Sequence, residues 1–73
     1  MPAGVSHVIA GYLMNRNTRT IRKMLDRGTL TRTDDRHVAI ASVAVLLGHE
    51  ITTEAYGLAL ARQRSLTNRE GRK

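Results

Sequence analysis

Apolar positions cluster along this chain, and the spacing within each cluster names an element. Val8, Ile9, Tyr12 and Leu13 lie at i, i+1, i+4 and i+5, the spacing of one helical face. This predicts a first helix over Ser6–Met14, with the Ser6 hydroxyl accepting from free backbone N–H groups as its N-cap. Gly11 inside it either weakens the helix or lets another backbone approach closely. Asn15-Arg16-Asn17 reads as a short polar turn. A second helix follows over Thr18–Arg27, with Asn17 as N-cap and Gly28 just beyond its end. At about 100° per residue, Ile21, Met24 and Leu25 share one face, and Arg19, Arg22, Lys23 and Asp26 share the opposite one, with Arg27 at its edge.

Beyond Gly28 the period shortens. Thr29–Ile40, "TLTRTDDRHVAI", is rich in Thr and Val and reads as a β-hairpin with its turn at Asp34-Asp35. Ala41–Gly48 is a short helix with Ser42 as N-cap, Gly48 as stop, and Val43, Leu46 and Leu47 facing inward. A third buried strand is the alternative, since periodicity does not decide short apolar runs. A last helix spans about Thr53–Ser65, capped by Thr52 or Thr53. Ile51, Ala55, Leu58 and Ala59 form its stripe, and Tyr56 and Leu60 fall outside it. Apolar surface on two sides fits either a helix deep in a small core or a self-association surface through Tyr56 and Leu60.

The 73 residues allow one small domain. Such a core is marginal without help, and with no cysteine that help cannot be a disulfide. Absence of cysteine suits a reducing compartment. His7, His37 and His49 are too scattered for a zinc pattern, so no metal or other cofactor is expected. The longest apolar run, Val38–Gly48, is shorter than the ~20 residues of a spanning helix. Met1–Gly4 carries no basic region, so neither a signal peptide nor a membrane partner is expected. The expected location is the cytoplasm.

Charge sharpens the picture. The formal net charge is +6 and the isoelectric point about 11.2. Residues 16–27 carry five cations and one acid, and so do residues 62–73, whereas residues 28–61 carry two cations and four acids. Two concentrated basic blocks around an acidic middle favour a polyanionic partner. Arg22, Lys23 and Arg27 suit the C-terminal helix dipole. Arg19 lies in the first turn, where a cation is unfavourable, and therefore points to an external partner.

No catalytic constellation is present. Asp34 and Asp35 are adjacent, Glu54 suits the first turn of its helix, the serines have no His–acid partners in view, and no glycine-rich phosphate loop occurs. An enzyme is not expected. Single-stranded nucleic acid is usually gripped by aromatic platforms, but the chain has no Phe or Trp and only Tyr12 and Tyr56. Duplex DNA suits the second helix better, because Asn17, Thr18, Arg19, Thr20, Arg22 and Lys23 offer short and long polar groups to a major groove.

The order of polar turn, "TRTIRKMLDRGTL", hairpin and "AIASVAVLL" resembles the winged helix-turn-helix of the MerR and phage excisionase superfamily. Thr20-Ile21-Arg22 and Gly28-Thr29-Leu30 sit where its pattern wants them, and the resemblance covers about residues 5–48. It implies a mostly helical fold with a small β-hairpin wing. Residues 1–50 would form the DNA-binding domain. Residues 51–66 would be a C-terminal helix that packs on it or mediates self-association, and 67–73 a basic flexible tail. It implies the second helix in the major groove, with Arg16, Asn17, Thr18, Arg19, Thr20, Arg22, Lys23 and Arg27 as DNA contacts. Carboxylates at the wing tip repel phosphate, so Arg32, Arg36 and His37 on its arms are the wing candidates. Leu30 would plug the core beneath. Small members resemble excisionases, which implies DNA bending, an integrase as possible partner and self-association on DNA. The alternatives are a small phage transcriptional regulator of Cro-like role, and an interaction module whose basic face meets an acidic host protein.

Overall fold

The computed structural model describes the backbone of residues 1–70 and the side chains of residues 1–65. The elements in order are β1 (Gly4–Val5), α1 (His7–Met14), α2 (Thr18–Asp26), β2 (Arg32–Asp34), β3 (His37–Ala39), α3 (Ile40–Leu47) and α4 (Thr53–Glu70). The architecture is mostly helical, with a small antiparallel sheet in the order β1-β3-β2.

α1 and α2 start as the sequence predicts. Ser6 Oγ accepts from the Ile9 N–H at 3.1 Å, and Asn17 Oδ1 accepts from the Thr20 N–H at 2.8 Å. Three helices end in the same way. α1 closes on Asn15 at φ 55°, α2 on Gly28 at φ 80° and α3 on Gly48 at φ 78°. In each case the next N–H reaches back to a carbonyl five residues earlier: Arg16 to Gly11, Thr29 to Met24, His49 to Ala44. These bonds satisfy carbonyls that a helix end leaves free.

Gly11 is the pivot of the α1–α2 connection. The Arg16 N–H donates to its carbonyl at 2.8 Å, and a Cβ built on Gly11 would lie 2.5 Å from the Arg16 carbonyl oxygen. Of its two sequence readings, close approach of a second backbone is the one realised. The turn folds back onto α1, and this sets where α2 begins.

The hairpin differs from its sequence reading. Its turn is Asp35-Arg36, not Asp34-Asp35, because Asp34 pairs with His37 as the last residue of β2. Neither turn residue has positive φ, so the tight glycine turns usual for two-residue hairpins are not used. Instead, Asp34 Oδ1 accepts from the Arg36 N–H at 2.8 Å, an Asx-turn that replaces glycine. The register shifts between Arg32 and Asp34, which leaves Thr33 as an extra residue on β2. β1 was not visible in the sequence. It is two residues long and exists only because β3 offers it a partner, Gly4 opposite Ala39 and Val5 opposite Val38.

β3 runs directly into α3, so Ala39 occupies the N-cap position and makes no side-chain cap bond. Ser42 is therefore not the cap that its sequence context suggests. Its hydroxyl donates to the Ala39 carbonyl at 2.7 Å and accepts from the Thr31 N–H at 3.2 Å, tying α3 to the entry of β2. The run is helical, not a third core strand. Val43 is fully buried and Leu47 partly so, but Leu46 is 40 % exposed and does not face inward.

α4 is capped by Thr52, whose Oγ1 accepts from the Ala55 N–H at 3.0 Å. It continues to Glu70, past the Ser65 boundary and through part of the segment read as a flexible tail; residues 71–73 lie outside the described residues. α4 packs chiefly on α1. Ile51 and Ala59 join Val5, Ile9, Ala10, Ile21, Leu25, Leu30, Val38 and Val43 in one aliphatic core. Leu30 is 1 % exposed and seals the core where α2 gives way to the hairpin. The α4 stripe is rotated from its sequence reading. Tyr56 and Leu60 pack partly buried against the core, and Leu58 is 65 % exposed. Helical spacing identifies faces, but not which face meets a neighbour.

Two glycines separate close approach from mere helix weakening. Gly11→Ala gains about 1 kcal/mol of helix propensity but drives a Cβ into backbone that cannot yield cheaply. The expected net loss is ~1–3 kcal/mol, read as a fall of about 5–15 °C in the thermal midpoint. Gly57, with nothing within 4 Å of its would-be Cβ, should gain ~0.5–1 kcal/mol on replacement by Ala.

Candidate nucleic-acid interface

α2 divides its side chains sharply. Ile21 is fully buried and Leu25 5 % exposed; Met24 is partly buried against the same core. Arg19, Arg22, Lys23 and Asp26 lie exposed on the opposite side, followed by the exposed C-cap residue Arg27. Nine residues form a short helix, so its place depends on this narrow apolar foot more than on propensity.

The cations on this face lack local partners. Among the described residues the ion pairs within 4 Å are Arg32–Asp26 at 3.9 Å and His37–Asp34 at 2.8 Å. Arg16, Arg19, Arg22, Lys23, Arg27 and Arg36 therefore make no ion pair with a carboxylate among the described residues. The acidic residue within α2, Asp26, turns instead toward Arg32. Both members of that pair are exposed, so it contributes little to stability. Its value is geometric: it places the start of β2 beside the last turn of α2.

Other sequence candidates carry structural duties. Asn17 uses Oδ1 as the α2 cap, which leaves its side-chain amide N–H groups for an outside acceptor. Thr18 is exposed and Thr20 half-buried, so Thr18 is the more accessible hydroxyl of the first turn. Arg16 is exposed on the turn before the cap. On the hairpin, Arg32 opens β2, Arg36 is in the turn and His37 opens β3, all three exposed. His37 is engaged through Nδ1 with both Asp34 oxygens, at 2.8 and 3.0 Å. The two hairpin carboxylates thus differ. Asp34 is turned inward onto the Arg36 N–H and His37, and Asp35 stands in the turn.

One cation near this face was absent from the sequence candidates. Arg62 of α4 lies over the Tyr12 ring of α1, its guanidinium carbon 5.6 Å from the centroid. Sequence reading counted it only within the C-terminal basic block, because nothing local links positions fifty residues apart. No group of His, Cys, Asp or Glu among the described residues could hold a metal ion, and no described helix is long and apolar enough to cross a membrane. Comparison of the chain with protein-family models, curated proteins and solved structures gives no match.

The hairpin has a pH signature. The Arg36 N–H, and then the His37 side-chain bond, hold the Asp34 carboxyl below its ordinary value of 3.8. A carboxyl depressed by folding stabilises the fold above its unfolded value, and that contribution disappears as pH falls through the folded value. Asp34→Ala should therefore lower the thermal midpoint at neutral pH, and the deficit should shrink once pH drops below about 3.8. Asp35→Ala, which removes no intramolecular bond, should leave the midpoint unchanged across the same range.

Proposed function

We propose that this chain is a sequence-specific double-stranded DNA-binding protein of winged helix-turn-helix type. α2 would be its recognition helix and the β2–β3 hairpin its wing. The observation that carries this reading is the exposed face of α2, where Arg19, Arg22 and Lys23 stand clear of every described carboxylate on a helix held from behind by Ile21 and Leu25. A rigid amphipathic helix of this width fits a major groove, and arginine can pair bidentately with guanine. Thr18, Arg19 and Arg22 would meet base edges from the N-terminal half. Lys23, Arg27 and Arg16 would meet phosphates, which fix register without reading sequence.

The approach of Arg32 to Asp26 at 3.9 Å supports the wing assignment, because it marks the start of the hairpin as lying near the end of α2, where the flanking backbone or minor groove would pass. With Asp34 engaged internally, Asp35 is the remaining repulsive group at the tip, and Arg36 beside it offsets that charge. The resemblance to small excisionases favours one biological role: an architectural factor that would bend DNA for recombination in a phage-infected cytoplasm, with an integrase as a possible partner. Tyr56 and Leu60 are largely taken up by the fold, and the exposed large apolar groups among the described residues lie on different elements: Val45 and Leu46 on α3, Leu58 on α4, and Met1 before β1. That suits weak contacts between neighbouring copies on DNA better than an obligate two-fold dimer.

Selection from a pool of random duplexes should yield a preferred site, with weaker binding to single strands at the same salt. Arg19→Lys and Arg22→Lys keep the charge but lose the bidentate geometry. Each should lose ~1–3 kcal/mol on the selected site with little change on mixed-sequence duplex. Arg27→Ala should weaken both duplexes alike and reduce the salt slope by ~0.9. If both Lys variants bind the selected site as the parent does, α2 is not the reading element. Gel mobility of circularly permuted sites should show a bend; an unbent site occupied by a tight preformed dimer would instead favour the transcriptional regulator.

A further inference from the structure

A cleft of about 570 Å³ opens between the α1–α2 turn and the C-terminal half of α4. Gly11 and Tyr12 contribute one side, Arg16 and Asn17 the second, and Arg62 and Ser65 the third. Three features give it a definite chemistry. Its described lining has two guanidinium groups and no carboxylate. Neither arginine is within ion-pair distance of an acid among the described residues. Arg62 is not a loosely tethered side chain, because its guanidinium carbon rests 5.6 Å from the centre of the Tyr12 ring, within the range of a cation–π contact. That contact holds the guanidinium stem against α1 without consuming its N–H donors.

Position matters as much as charge. The cleft borders Asn17, the residue that caps α2. Ser65, one helical turn beyond Arg62, adds a hydroxyl on the same side of α4. Arg64 does not line the cleft, which agrees with its place on another face of the helix. Two arginines, a serine and Asn17 thus line one space beside the start of the proposed recognition helix.

The geometry points to this cleft as a clamp for one backbone phosphate of duplex DNA, with Arg62 as the further binding residue. The assignment rests on the reading of α2 as a groove-binding helix and extends it. α4 then has two duties: it covers α1 through Ala59, and it delivers a cation to the strand flanking the groove that α2 enters. A phosphodiester fits the donor set, since planar guanidinium groups match its oxygens. Bulk charge alone does not require the convergence of Arg16 and Arg62 on one cleft. A clamp at this end of α2 would also fix the angle at which the helix enters the groove, because the hairpin constrains only its other end.

The test compares variants of the full chain on a mixed-sequence duplex over a series of salt concentrations. Arg62→Met keeps the aliphatic stem and removes the charge. It should lower affinity about threefold to tenfold and reduce the log–log salt slope by ~0.9, one phosphate, with an unchanged thermal midpoint. Arg62→Lys should retain the slope. Arg64→Met is the control for diffuse attraction and should leave the slope near the parent value. If Arg62→Met keeps the parental slope while Arg22→Met reduces it, the clamp is overturned and the α2 reading stands. If Arg64→Met costs as much slope as Arg62→Met, the cleft is no site and α4 contributes only general charge. A parent chain that fails to bind duplex overturns both the clamp and the α2 reading. The thermal midpoint of each variant, unchanged from the parent, separates loss of charge from misfolding.

Discussion

The narrow foothold of α2 in the core sets what the rest of the molecule can do. Ile21 and Leu25 are buried and Met24 partly so; the other side chains of the helix, apart from half-buried Thr20, face out. Burying an aliphatic side chain of this size contributes roughly 1.5–3 kcal/mol, whereas an isolated nine-residue helix in water is not stable. The helix therefore exists because the core receives those two residues, and its opposite face escapes every packing requirement. That freedom lets an unpaired cationic ridge persist on it without weakening the fold.

A core of ten aliphatic residues cannot by itself hold seven elements in place, and the chain supplements it with backbone bonding. The αL closures at Asn15, Gly28 and Gly48 bring three helices to defined stops. The first of them folds the turn onto Gly11, the second delivers Leu30 to the core and the third releases the chain toward α4. Ser42 and Asp34 repeat the strategy at the sheet, one hydroxyl joining β2, β3 and α3 and one carboxylate replacing the glycine of a tight hairpin. Each is a short polar side chain satisfying backbone groups that the small core leaves near the surface.

The acids are distributed to the same end. Asp34 serves the hairpin turn, Asp26 faces Arg32, and Glu54 lies in the first turn of α4, where the helix dipole favours it. None of them is spent on the arginines of the α2 ridge. The positive field therefore remains concentrated on one surface, although the chain as a whole carries acids within a few residues of it. The turn before α2 and Arg62 border one cleft, so part of that charge extends from α2 toward α4.

Much of the α1–α2 half was legible in the sequence, because local signals dominate there. Ser6, Asn17 and Gly28 are caps whose chemistry acts within a few residues, and the separation of Ile21 and Leu25 from Arg19, Arg22 and Lys23 follows from helical period alone. The register of the hairpin was not legible, since moving the turn from Asp34-Asp35 to Asp35-Arg36 depends on where Asp34 finds hydrogen-bond donors. Nor was β1, a two-residue strand that needs β3 beside it. Leu46 and Leu58 were placed on the wrong faces, and Tyr56 and Leu60 stayed open between core and self-association, because an apolar residue carries no label for its neighbour. The sequence by itself determined the starts of α1 and α2, the cationic face and the glycine stops of α2 and α3, all set by interactions that reach a turn or so along the chain. Only the tertiary structure decided that Gly11 admits the Arg16 backbone, that Ser42 binds Thr31 and that Arg62 meets Tyr12 near the α2 cap. Those pairings join distant segments or depend on a chain reversal, and no local periodicity encodes them.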